Sequence, residues 1–199
     1  MGEKWIGNYG LLFEKALEEG SSRSDIVLVG SANSGKTELI QNFFSPRPPF
    51  ITVSPRSHDK YLVNLTSHHA FELIIIDAKR AEFVMTTEFT EKTVFLFCYD
   101  RDNEESFNEL EATWIPVFLQ RGMQNMYYLS VGIEHDPVTN PEVDAEARQR
   151  ERFNLRERAQ RLIEQYGGRP LECSLSERAS VLNVFQTALD TMHPRTSYN

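Results

Sequence analysis

Eight residues carry the clearest chemistry in this chain: Gly30, Ser31, Ala32, Asn33, Ser34, Gly35, Lys36 and Thr37. A glycine, four intervening residues and then Gly-Lys-Thr form the pattern of a phosphate-binding loop. Glycines let successive backbone N–H groups turn inward around phosphate oxygens. Lys36 is placed to reach the β- and γ-phosphates of a nucleotide, and the Thr37 hydroxyl to ligate Mg²⁺. A helix that begins at Lys36 aims its positive end at the same phosphates.

Other conspicuous residues offer less. His68-His69 has no third ligand nearby in the sequence and reads as an exposed turn. Cys98 and Cys173 each lie in or beside an apolar run, without metal-ligand spacing, and read as buried thiols. Asp77, Asp100 and Asp102 fall near strand ends, where α/β sheets bind ligands. Tyr127-Tyr128 and the alternating Phe95 and Phe97 read as core. The segment 142–161 mixes charges of both signs at helical spacing, as a solvated helix face does.

The phosphate loop needs a strand before it and a helix after it. Residues 25–29 (DIVLV) are wholly apolar, as in a strand buried on both faces. The helix expected to follow runs from Lys36 to Phe44. Four prolines within 45–60 suggest a loop there. Further strands are expected at 61–67, 71–77, 93–99, 126–131 and 170–173, and helices at 104–121, 141–167 and 180–192. The pattern predicts an α/β fold: a six-stranded, mostly parallel sheet with one antiparallel edge strand from a 61–77 hairpin, and helices on both faces.

The chain has 199 residues, 40% hydrophobic and 25% charged, which suits one soluble domain. Residues 1–24 read as an N-terminal extension, 25–193 as the domain and 194–199 as a tail. The formal charge of −8 argues against broad binding to nucleic acid or anionic lipid. No apolar run approaches the length of a transmembrane helix. Neither a signal peptide nor a lipidation box is evident, so the expected location is the cytoplasm.

The order of elements over about 24–193 resembles the Ras superfamily of small GTPases, and within it the Rho family. FELIIIDAKRAEF is similar to the third strand running into switch II. Trp114, Pro116 and Val117 match the Trp-x-Pro-x-Val of a Rho helix. YYLSVGIEHD stands where the guanine-reading Asn-Lys-x-Asp motif follows a strand. The charged stretch 137–153 resembles the Rho insert helix, and LECSLSERASVLNVF resembles the last base-contacting motif and the closing helix. The resemblance implies a P-loop small-GTPase fold that binds GTP or GDP with Mg²⁺. Thr37, Thr52 of switch I and Asp77 would serve the metal. Asp136, Ser174 and Leu175 would serve the base, the last through its backbone N–H. Partners would be effector or scaffold proteins reached through the switches and the insert helix.

The motifs depart from that family where hydrolysis and base reading occur. Switch II is Asp77-Ala78-Lys79-Arg80-Ala81 instead of Asp-Thr-Ala-Gly-Gln. Ala81 cannot hold the attacking water, and Ala32 crowds the γ-phosphate. Arg80 replaces the glycine that meets that phosphate, and Lys79 and Arg80 bring positive charge to its pocket. Ile133 and Glu134 replace the asparagine and lysine of the base loop, and Ser176 the last lysine. Two readings follow: an atypical Rho-like GTPase with impaired hydrolysis that signals through effectors, or a pseudo-GTPase scaffold with weak or no nucleotide binding.

Overall fold

A computed structural model describes residues 23–45, 50–54, 58–64, 72–123, 126–135 and 145–193. Apolar content places the central strands. β1 (Arg23–Val29) is buried from Ser24 onward, β4 (Glu72–Ala78) from Leu73, and β5 (Thr93–Asp100) up to Tyr99. Strands buried on both faces need helices on both sides. Within β1 the period of two sends Ile26 and Leu28 to one core and Val27 and Val29 to the other.

Among the described residues the sheet has seven strands, in the order β2-β3-β4-β1-β5-β6-β7. β4, β1, β5, β6 (Tyr127–Glu134) and β7 (Arg169–Ser174) run parallel to one another. β3 (His58–Asn64) is antiparallel to β4, and β2 (Phe50–Ser54) is antiparallel to β3. The expected α/β architecture is therefore present, with one more strand than the six expected. β2 arises inside the proline-containing stretch read as a loop, because Pro46, Pro48, Pro49 and Pro55 flank the run FITVS without interrupting it. As the outer strand it tolerates neighbours that cannot donate to a ladder. His68-His69 lies outside the described residues.

On one face α1 (Lys36–Phe44) and α6 (Arg178–Met192) pack together, with Phe43 and Phe185 ring centroids 4.0 Å apart. The other face holds α2 (Glu82–Thr86), α3 (Glu104–Glu109), α4 (Ile115–Arg121) and α5 (Ala145–Glu164). Phe118 stacks edge-on against Phe95 at 4.8 Å and Phe97 at 5.0 Å. α3 and α4 form one helical run joined by a π turn at Leu110–Trp114, where the Ile115 N–H donates to the Leu110 carbonyl. Pro116 has no N–H for the ladder and its ring crowds the preceding turn, a common origin of such bulges.

The stretch 137–153, which resembles an insert helix, is described only in its second half. Residues 137–144 lie outside the described residues, and 145–153 are the first part of the single helix α5. That helix is anchored by Leu155, Ala159 and Ile163, spaced four residues apart on its sheet-facing side. Its earlier turns are carried along as a charged extension.

Cys98 and Cys173 are both free and buried, as expected. Burial raises the pKa of both thiols, that of Cys173 to about 11. Among the described residues no helix is long and apolar enough to cross a membrane. Phe95→Ala is expected to cost about 3–5 kcal/mol of folding stability, while Phe153→Ala, at an exposed position, should fall within about 0.5 kcal/mol of the parent. Urea denaturation of both variants checks this.

Candidate nucleotide site

The loop from Gly30 to Gly35 leaves the C-terminal end of β1 and enters α1. Two glycines make its path possible. Gly30 has φ 139°, and a side chain there would collide with the Cys98 carbonyl of β5. Gly35 is left-handed at φ 83°, and a Cβ would stand 2.8 Å from Ile133 Cγ2. Gly35 also caps α1 without a side-chain hydrogen bond, so the first N–H groups of the helix are available to an anion.

The loop is fixed internally. The Ser34 hydroxyl donates to the Ser31 carbonyl at 2.9 Å. The hydroxyls of Ser31 and Ser106 lie 2.8 Å apart, and Ser106 also accepts from the Asp100 N–H at 3.1 Å. Ala32 and Asn33 are exposed at the tip. Lys36 is 3% exposed and folds back into the loop, donating to the Gly30 carbonyl at 2.8 Å and to the Ser31 carbonyl. Burial pushes its pKa down, and the Asp77 charge opposes that shift.

At the far side of Thr37 the expected metal ligands meet an amine instead. The Thr37 hydroxyl donates to Asp77 Oδ2 at 2.6 Å. Lys79 Nζ lies 2.5 Å from the same carboxylate oxygen, 3.1 Å from Thr37 Oγ1 and 3.3 Å from Asp59 Oδ2. Burial works against this ammonium, but the hydrogen bond and charge of Asp77, with Asp59, outweigh it and leave the Lys79 pKa raised. These donors do not fit a divalent ion as they stand, because the oxygens that would face it already face Lys79. A 2+ ion about 3 Å from that ammonium meets repulsion on the order of 10 kcal/mol at an effective dielectric constant of about 20. Asp77 Oδ1 is buried without a protein partner.

Thr52, expected to close over the metal, lies on β2, beside the strand that carries Asp59. Its backbone pairs with Lys60 of β3, which pairs with Ile76 of β4, so two strand spacings, about 10 Å, separate it from β4. Its side chain lies outside the described residues, as does all of Asp136.

Switch II follows directly. No described residue other than glycine has positive φ, so Arg80 does not reproduce a glycine-only turn. The chain instead enters α2, with the Phe83 N–H donating to the Arg80 carbonyl at 3.1 Å. Lys79 and Arg80 are exposed, whereas Ala81, Phe83 and Val84 join the core. Phe83 packs against His58 with ring centroids 4.3 Å apart, and Arg121 donates to the Val84 carbonyl.

The base end is closed on itself. Ile133 is fully buried and the His135 ring lies against Gly35. Glu134 turns away toward Arg152 at 2.8 Å and Arg101 at 3.4 Å. The Leu175 N–H, expected to serve a base carbonyl, already donates to the Glu134 carbonyl at 3.0 Å. The Ser174 hydroxyl pairs with Ser176 at 2.9 Å. Sequence reasoning thus assembled the phosphate loop with Asp77. It missed Asp59, whose only sequence signal is its register opposite Asp77 on the neighbouring strand.

A phosphate-binding loop between the first strand of a mostly parallel sheet and its helix defines a P-loop nucleotide-binding protein. The Ras family model matches residues 25–194, so this chain belongs to the Ras family, small GTPases that bind nucleotide. No curated protein matches the chain.

Restoring the family asparagine should not restore base reading. Ile133 sits within the apolar core, so Ile133→Asn should lose about 2–4 kcal/mol by burying an unpaired amide and gain no guanine preference. Urea denaturation together with GDP and ADP titrations checks both parts.

Proposed function

We propose that this chain is an atypical, Rho-like member of its family. It holds a guanine nucleotide mainly by the phosphates, hydrolyses GTP slowly or not at all, and presents a nearly fixed switch II surface to protein partners. The observation that carries this reading is the complete phosphate loop beside a switch II without a water-positioning side chain. The uncapped start of α1 supplies N–H donors for phosphate oxygens, and Lys36 adds its ammonium by leaving the Gly30 and Ser31 carbonyls to which it donates in this structure. Ala81 offers only a methyl group, and it faces the core.

The fixed surface is supported by what holds α2. Phe83 and Val84 are buried, Phe89 packs edge-on against Phe95 at 4.9 Å, and Lys79 is tied to three oxygens. None of these contacts uses a γ-phosphate. A ligand that meets the same surface in both states shifts no population. The early turns of α5 add a second candidate partner surface, where Arg148, Arg152 and Arg156 flank the exposed Phe153 along a cleft of about 490 Å³.

A pseudo-GTPase scaffold is the competing reading, favoured by the occupied Leu175 N–H and the diverted Glu134. Nucleotide titration separates the two. Lys36→Ala removes a charge-assisted contact worth roughly 1.5–3 kcal/mol, so it should weaken binding about 10- to 150-fold. Failure of GDP and GTP to bind the parent would leave the scaffold.

Single-turnover assays on GTP-loaded protein should give hydrolysis at or below the slow intrinsic rate of the family, with no stimulation by a Rho-type activating protein. Rapid stimulated turnover would overturn the hydrolytic part. Hydrogen exchange over 77–90 should differ little between GTP-analogue and GDP forms. Protection appearing only with the analogue would reveal a working switch.

A further inference from the structure

The two strands beside the phosphate loop place like charges face to face. Asp59 of β3 and Asp77 of β4 are direct partners in the antiparallel register, an arrangement that repels unless a cation joins it. Asp77 is fully buried, so water cannot screen it. The cation belongs to the chain itself: Lys79, two residues beyond Asp77, spans both carboxylates and the Thr37 hydroxyl. Three oxygens from three elements converge on one ammonium.

That hydroxyl is the last residue of the phosphate loop motif, and the carboxylate beside it is the switch II aspartate. The Lys79 side chain remains 41% exposed, so its ammonium is not sealed inside the protein. We propose that Lys79 takes the place of the divalent cation, so that this chain binds the phosphates of a nucleotide without Mg²⁺. A positive charge fixed to β4 by hydrogen bonds then stands beside the phosphate loop whether or not metal is supplied. This inference rests on the nucleotide-binding reading and deepens it.

The test is an equilibrium titration of the full, nucleotide-free chain with a fluorescent GDP, in EDTA and in excess Mg²⁺. The parent affinity should agree within about threefold between the two conditions, since the charge that offsets the phosphates is already present. Lys79→Ala restores the residue type the family carries here. It should bind at least about tenfold more weakly in EDTA and recover when Mg²⁺ is added, because the freed oxygens then suit the metal. A lysine serving only to hold the strands together would leave the parent dependent on Mg²⁺.

Loss of more than about a hundredfold in parent affinity on moving to EDTA overturns this inference and leaves nucleotide binding intact. Equal Mg²⁺ independence in parent and Lys79→Ala also overturns it. No binding in either condition removes the nucleotide-binding reading and this inference together. The parent comparison needs no variant, so a loss in EDTA overturns the inference even if Lys79→Ala fails to fold, and Lys79→Met, which keeps the apolar stem without the charge, then takes its place.

Discussion

A carboxylate sealed from solvent draws donors from the protein around it, and Asp77 is such a group, with Oδ2 held by two donors and Oδ1 by none of the described residues. Leaving it unmatched would cost far more than a surface charge does. Its requirement reaches across the fold. It draws the Thr37 hydroxyl from the start of α1 and the Lys79 ammonium from the end of its own strand. Through Lys79 it steadies Asp59 on β3. The phosphate loop, the strand ends and the entry to switch II are thus joined by one electrostatic knot.

The rest of the site is organised around that knot. Ordinary core packing supports it from behind: the Phe89, Phe95 and Phe118 rings lie beneath α2, so switch II is held from its charged end and its apolar end alike. The base end relies on different forces. There the asparagine tie of the family is replaced by apolar contact of Ile133 with the loop, and the lysine by a glutamate paired with arginines. Such partly exposed pairs contribute modestly and weaken with salt, whereas the apolar contact does not.

Much of this was legible in the sequence. α1 spans the expected 36–44, because the glycine-lysine start and the proline-rich end bracket it unambiguously. The buried strands were readable from continuous apolar runs. β2 was not, since proline density masked a five-residue strand that owes its existence to pairing with β3. The charged helix expected over 141–167 is present as one helix, Ala145–Glu164, because its charges leave Leu155, Ala159 and Ile163 free to mark the buried side. In the site, residue types identified Gly30 to Thr37 and Asp77. They did not reveal that Lys79 would turn onto Asp77, nor that the Leu175 N–H would be consumed by Glu134, because both depend on which loops lie side by side.

The contact between Gly30 and the Cys98 carbonyl bears on how such a chain drifts under selection. Any side chain at position 30 would force β5 away from β1. The first glycine of the motif is thus held by the architecture of the sheet, whatever becomes of the chemistry. A descendant that lost every ligand would still have to keep it in order to fold. Thr37 answers to a different constraint: it is only partly buried, but its hydroxyl donates to the buried Asp77 carboxylate. Of these two letters of one motif, the glycine is kept by a backbone contact and the threonine by a buried charge, so neither alone is a witness to a surviving activity.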